Sequence, residues 1–264
     1  MKRTAAVRIS QIRHEKAVNI KPGLHLPGKQ YRNRENMERE INLQEISDGK
    51  LYGINDMVKA GCNDCAGCFL CCREMGKSVI LDPYDIFLLE MGCGYSFEEL
   101  LADKLELNVV DYIIQPNLKM QGDGEKCGFL NEEGRCGIHP YRPGFCRMFP
   151  LGRIYEDGSF SYFLQVHECP HPGKTKVKLK KWLGIPEISR YEKYIGDWHF
   201  FLKDMQKIIR DTENDEITRN LNMYLLNQFY VRAYVTGEPE GTAGFYGQFY
   251  ERLREAKERA AFYR

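Results

Sequence analysis

The stretch Cys62-Asn63-Asp64-Cys65-Ala66-Gly67-Cys68-Phe69-Leu70-Cys71-Cys72 decides how the chain is read. Five thiols stand there, where a composition of ten cysteines in 264 residues would put fewer than one. Two residues between cysteines let a tight turn aim both sulfurs at one point, and a metal such as zinc needs thiolates about 2.3 Å away. The side chains of Cys71 and Cys72 diverge from neighbouring α carbons, so the pair serves two centres or one member is structural. Further along stand Cys127, Cys136, Cys146 and Cys169, whose glycine and proline neighbours let the backbone turn and approach an ion. A centre closed by both sets ties remote parts of the chain together and couples metal binding to folding.

Composition sets the frame around this stretch. The chain is long enough to bury a core without staples, and 38 basic against 37 acidic side chains give no bulk drive toward nucleic acid or an anionic membrane. No run approaches the roughly 18 to 20 apolar residues of a membrane span, and MKRTAAVRIS leads into polar IRHEK and not into an apolar signal core. The expected setting is therefore the cytoplasm, where clustered thiols hold metal or do redox chemistry more often than they form disulfides. There is no Ser-His-Asp set, phosphate-cradling glycine loop or dinucleotide fingerprint.

Three regions are expected: a basic N-terminal arm over 1–60, a cysteine-cluster metal-binding domain over 61–176, and a helical C-terminal subdomain over 177–264. The arm has ten Lys or Arg against four Glu up to Glu40. In the middle region, DPYDIFLLEMG predicts a helix with Asp82 as N-cap and Pro83 at its first position, and SFEEL from Ser96 reads as a capping box. LNVVDYIIQ reads as a strand or apolar connector, and RIYEDGSFSYFLQV as a hairpin turning at Asp157-Gly158. KTKVKLKKW reads as an edge strand or exposed loop. From Ile188 to Ile209 apolar residues recur at three- and four-residue spacing, and further helices are expected over Asp215 to Tyr234 and from Phe245 to the C-terminus. The fold class is α+β: a small irregular cysteine-rich module with short helices and a hairpin, packed on helices.

The ordered motifs Cys65-x2-Cys68-x2-Cys71-Cys72, Cys127-Gly-Phe-Leu, Gly134-Arg-Cys136-Gly-Ile-His-Pro-Tyr-Arg-Pro, Phe145-Cys146-Arg-Met-Phe-Pro and Cys169 closely resemble the YkgJ-like CxxCxxCC cysteine-cluster family. That family is described as zinc- or iron-chelating. The resemblance implies Cys65, Cys68, Cys71, Cys72, Cys127, Cys136, Cys146 and Cys169 as the chelating set, with Cys62 an addition to the usual pattern. Some relatives are flagellin lysine N-methylases, which brings in group transfer by a methylase-like enzyme as an alternative. A thiol redox or metal-delivery protein is another, and whether the chain is an enzyme stays open, as do its protein partner and substrate.

From the residues alone, an all-thiolate site fits zinc or an iron–sulfur cluster and disfavours magnesium or calcium. Read as Cys62-x2-Cys65-x2-Cys68-x3-Cys72, the first cluster has the spacing of a bacterial ferredoxin run, with Arg73 in place of the following proline. This favours iron–sulfur, of the 4Fe-4S type, over zinc. Eight or nine thiols exceed the four that one zinc or one cubane needs, so a larger cluster, two centres or spare redox cysteines all stay open. Four thiolates on such a centre leave a net charge of about −2, for which Arg73, Arg142 and Arg147 are candidate partners. His139, His167 and His171 stand near cysteines and read as hydrogen-bonding or exposed groups rather than ligands, and Cys93 reads as a buried apolar residue.

Overall fold

The computed structural model describes residues 6–8, 43–62, 68–235 and 242–263. In chain order the elements are β1 (Ala6–Arg8), α1 (Leu43–Ile46), β2 (Ser47–Tyr52), β3 (Met57–Gly61), α2 (Pro83–Cys93), α3 (Phe97–Asp103), β4 (Leu105–Val110), β5 (Ile113–Leu118), β6 (Met120–Gln121) and β7 (Lys126–Cys127). They continue through α4 (Gly144–Met148), β8 (Leu151–Glu156), β9 (Ser159–Gln165), β10 (Thr175–Lys178), α5 (Leu179–Leu183), α6 (Ile188–Asp211), α7 (Asp215–Leu226) and α8 (Ala243–Ala260). The fold is α+β with small antiparallel sheets and a helical C-terminal region. Of the arm expected over 1–60, only 6–8 and 43–60 fall among the described residues. There β1 and β2 flank the β8–β9 hairpin in a four-stranded sheet of order β1-β8-β9-β2.

Local chemistry sets the helix ends. The Asp82 carboxylate accepts from the Asp85 backbone N–H while Asp85 accepts from that of Asp82, and Gly94 closes α2 at φ +69. Ser96 and Glu99 form the same reciprocal box at the start of α3. LNVVDYIIQ is neither a single strand nor a connector. Asp111 and Tyr112 take φ +47 and +72 and turn the chain between β4 and β5, which pair from Leu105↔Leu118 to Val110↔Ile113. Without glycine in this turn, the usual hairpin signal is missing. KTKVKLKKW divides: only Thr175–Lys178 is strand, and the rest winds into α5 up to Gly184 in the left-handed region. The helix expected to reach Tyr234 ends its α-helical part at Leu226 and continues as a π-helical turn over Asn227–Val231.

One apolar core runs through both the cysteine-bearing middle and the C-terminal helices. Leu81, Phe87, Leu89 and Phe97 share it with Tyr194, Trp198, Phe229, Phe245 and Phe249, all of them buried. Side chains of this size each bring a large apolar area out of water, roughly 25 cal/mol per Å². Tyr194 Oη fastens the two regions: it accepts from the Tyr84 backbone N–H at 3.0 Å and donates to Asp82 Oδ1 at 3.0 Å. Among the described residues no helix is long and apolar enough to cross a membrane.

Candidate metal centre

Backbone pairing brings distant cysteines together. Arg73 bridges Lys126 in antiparallel sense and the Glu74 N–H donates to Glu125 O at 2.8 Å, so Cys72 falls next in register to Cys127. A 3₁₀ turn over Leu70–Cys72, closed by Cys72 N–H donating to Phe69 O at 2.9 Å, sets Cys71 beside it. Leu130 bridges Cys136, and the Gly137 N–H donates to Phe129 O at 2.8 Å, which folds the Cys136 segment back on the turn after Cys127. Cys146 arrives on α4, and Cys127, Cys136 and Cys146 all pack against the main core.

The electrostatics agree with this neighbourhood. Burial pushes the Cys146 thiol well above the ordinary thiol range, and Cys127, Cys71, Cys136 and Asp85 add to the shift. Burial also raises Cys127 and Cys136, each of them further raised by Cys71. Cys71 is raised by its hydrogen bond with Cys72, then by burial. These four thiols therefore sense one another in a setting that favours their protonated, neutral form. Among the described residues, no group of three or more His, Cys, Asp or Glu side chains is placed closely enough to hold a metal ion. To hold a metal these thiols would have to lose their protons and their sulfurs to move closer together, as expected where binding is coupled to folding.

A second neighbourhood lies beyond the first. β3 pairs antiparallel with β10 through Thr175↔Gly61, and Thr175 Oγ1 donates to Gly61 O at 3.4 Å. Cys62 follows that strand end directly, and Cys169 stands in the turn leading into β10, where Lys174 Nζ donates to its carbonyl at 2.6 Å. The Cys169 thiol is raised by burial, with Cys62 and Cys68 adding to the effect. Cys65 lies outside the described residues. Cys93 sits at the end of α2, half-buried against the core, among neither group.

The basic and imidazole groups have definite partners. Arg147 donates through Nε to Arg142 O at 2.9 Å and through Nη1 to Gly184 O at 3.4 Å, and reaches Pro140 O with Nη2, lacing the Cys136–Cys146 loop to the end of α5. Arg142 Nη1 meets the ring nitrogens of His139. His171 Nδ1 donates to Pro172 O at 2.7 Å. Arg73 lies over the Phe69 ring at 4.3 Å. Two supporting residues escaped the sequence reading. Asp85 Oδ1 accepts from the Gly144 N–H at 2.7 Å, holding the first residue of α4 against α2, and burial together with Asp82 pushes this carboxyl well above its ordinary range. Tyr191 from α6 packs so close to Gly144 that a Cβ there would lie 2.3 Å from its hydroxyl. Asp85 was legible only as a helix N-terminal acid, and nothing in the sequence pairs it with a residue 59 positions on.

The donor set, thiols from separate stretches with no carboxylate cluster among them, is what a zinc or iron centre takes. Residues 64–170 match the CxxCxxCC family. Its description is "Putative zinc- or iron-chelating domain", so the matched segment is a metal-binding one. No curated protein and no solved structure matches the chain significantly. The CxxCxxCC segment begins after Cys62 and ends just after Cys169, so it takes in eight of the nine thiols of the expected ligand set.

Proposed function

We propose that this chain is a cytoplasmic metal-binding protein whose thiols hold an iron–sulfur cluster of the 4Fe-4S type, with zinc as the competing occupant of the same donors. The observation that carries this reading is the backbone pairing that brings the segments of Cys71-Cys72, Cys127 and Cys136 side by side, with Cys146 among their electrostatic neighbours, within the segment that matches the chelating family. The proposed ligand set is Cys62, Cys65, Cys68, Cys71, Cys72, Cys127, Cys136, Cys146 and Cys169, within a metal-binding unit over 61–176. Iron–sulfur is favoured over zinc by the ferredoxin-like spacing from Cys62 to Cys72. When bound, such a cluster supplies one-electron redox chemistry.

The chain's own contribution is to hold and insulate the centre. The α2–α4 contact through Asp85 and the α6–α4 contact through Tyr191 fix Cys146, while the apolar core behind Cys127, Cys136 and Cys146 limits water on that side. Backbone amides near the cysteines and the arginines of the loop offset the negative charge of a thiolate-ligated centre. Anaerobic purification followed by iron, acid-labile sulfide and zinc analysis tests the reading. Iron and sulfide in equal amounts with a visible charge-transfer absorption are expected, and a colourless chain carrying only zinc would replace the cluster with a structural ion.

A further inference from the structure

The β3–β10 ladder carries positive charge with no carboxylate partner among the described residues. Over 47–62 and 174–183 stand seven lysines, with Asp48 and Asp56 as the acids. In β3 Val58 and Ala60 are buried while Met57 and Lys59 face solvent, the alternation of a half-covered strand. β10 pairs Val177 with Val58 and Lys178 with Met57, and Thr175 with Gly61 beyond an irregular step. Lys59 and Lys176 both fall in that step, so the ladder sets two exposed lysines across from each other, where like charges are destabilising. The Cα atoms of Lys176 and Lys178, two residues apart on one strand, are separated by about 6–7 Å, less than the Debye length at physiological salt. The Leu179 N–H donates to Asp56 O and the Lys180 N–H to Ile54 O, both at 2.9 Å, which docks α5 on the turn before β3. Lys180 and Lys181 carry the exposed charge past the end of the ladder. The two acids are engaged locally: Asp56 Oδ2 accepts from the Gly53 N–H at 2.7 Å, and Asp48 accepts from the Tyr52 hydroxyl.

We propose that this lysine face binds the phosphate backbone of a nucleic-acid duplex without reading its sequence. The bulk charge of the chain gives no such drive, so the local patch carries it. Three features select the occupant. Every cation over 47–62 and 174–183 is a lysine, a compact point charge that suits phosphate, and none is an arginine of the kind that grips a carboxylate with two bonds. Lysine is also depleted in protein–protein interfaces, which disfavours an acidic protein surface. The large apolar residues exposed on these elements are Leu51 and Met57, with no exposed ring on which unpaired bases could stack, so a duplex fits better than a single strand. Phosphates set against Lys59, Lys176 and Lys178 relieve the repulsion built into the ladder and release condensed counterions. Such a face works whether or not the thiols hold metal, so its failure and that of the metal reading are separate events.

The test is fluorescence anisotropy of the full chain with a short labelled DNA duplex, the corresponding RNA duplex and one DNA strand alone, between about 0.05 and 0.2 M salt. Both duplexes should bind with a dissociation constant of about 1–100 μM at physiological salt, and log affinity should fall with log salt at a slope of about −0.9 per phosphate contacted. Lys59→Gln/Lys176→Gln/Lys178→Gln should flatten that slope by about 2–3 and weaken binding at least about tenfold at the lowest salt. Lys207→Gln/Arg219→Gln/Lys257→Gln, which removes as many charges from α6, α7 and α8, should change the slope by less than about one. No binding of either duplex at the lowest salt overturns the site and leaves the lysines as protection of the β10 edge against unwanted strand pairing. Equal losses in the two triple variants, or tighter binding of the single strand, overturn it as well. So does binding to phosphatidylserine vesicles through the same lysines with no binding of duplex. Should the ladder variant fail to fold, chemical acetylation of wild type decides the matter: protection of Lys59, Lys176 and Lys178 by duplex supports the face, and unchanged reactivity contradicts it.

Discussion

Gly144→Ala probes the contact that seats the Cys146 helix. A Cβ on Gly144 would lie 2.3 Å from Tyr191 Oη but 3.4 Å from Cζ of the same ring, and 3.6 Å from Asp85 Oδ1. The hydroxyl alone makes the position intolerant. Tyr191 is fully buried and its hydroxyl accepts from Arg153 Nη2 at 3.1 Å, so it has little freedom to yield. Overpacking of this kind costs about 1–3 kcal/mol. Tyr191→Phe removes the offending atom and leaves an ordinary van der Waals contact, though by itself it forfeits the Arg153 bond, at about 1–3 kcal/mol. Once Tyr191→Phe is in place, adding Gly144→Ala should therefore cost about 0 kcal/mol, helped by the better helix propensity of alanine. The double-mutant cycle, measured by urea denaturation of the four chains under one metal condition, should give a coupling of about 1–3 kcal/mol, the size of the relieved overpacking. Additivity within about 0.5 kcal/mol would refute the claim that α6 seats α4 through this hydroxyl.

Glu90 gives a pH signature. Burial pushes its carboxyl up to about 7, against the lowering effect of the Phe97 N–H that it accepts at 3.0 Å. The folded chain therefore binds a proton that the unfolded chain has released between about pH 4.5 and 7, so this contribution is present in acid and lost as pH rises through 7. Relative to wild type, Glu90→Gln should gain thermal stability as the pH is raised from about 5 to about 8; a pH-independent difference would contradict this. Asn222, fully buried, accepts from the Ile114 N–H at 2.7 Å and donates to Tyr112 O at 3.1 Å. Asn222→Leu leaves both backbone groups unpaired and should cost about 2–5 kcal/mol by denaturation, with a cost under about 1 kcal/mol refuting the role. Stripping the metal should lower the melting temperature, because a ligand at about a thousand times its dissociation constant stabilises the fold by about 4 kcal/mol; identical melts with and without chelator would count against coupling of binding to folding.

How much of this was legible in the sequence depends on the range of the interaction concerned. The α2 and α3 starts were readable at Asp82-Pro83 and Ser96-Phe97-Glu98-Glu99, because capping chemistry is local. So was α6, where the periodicity is long enough to leave little ambiguity. The β4–β5 hairpin was not, since Asp111 and Tyr112 adopt positive φ without the glycine that advertises such a turn. The cysteines were legible as a set through their spacing, but their partition was not. It depends on which strands pair, Gly61 with Thr175 and Arg73 with Lys126, over separations that no local pattern spans. For the same reason the sequence left Asp85 and Tyr191 unconnected to Cys146: both act by tertiary contact, each from a helix whose own pattern explains it fully.

The most direct measurement is the metal content of the chain purified without oxygen, set beside that of Cys136→Ser. The account predicts at least one thiolate-bound centre per wild-type chain, with iron and sulfide present together, and a marked loss on replacing Cys136. Less than one metal per carefully handled chain, or unchanged loading in the variant, would contradict it.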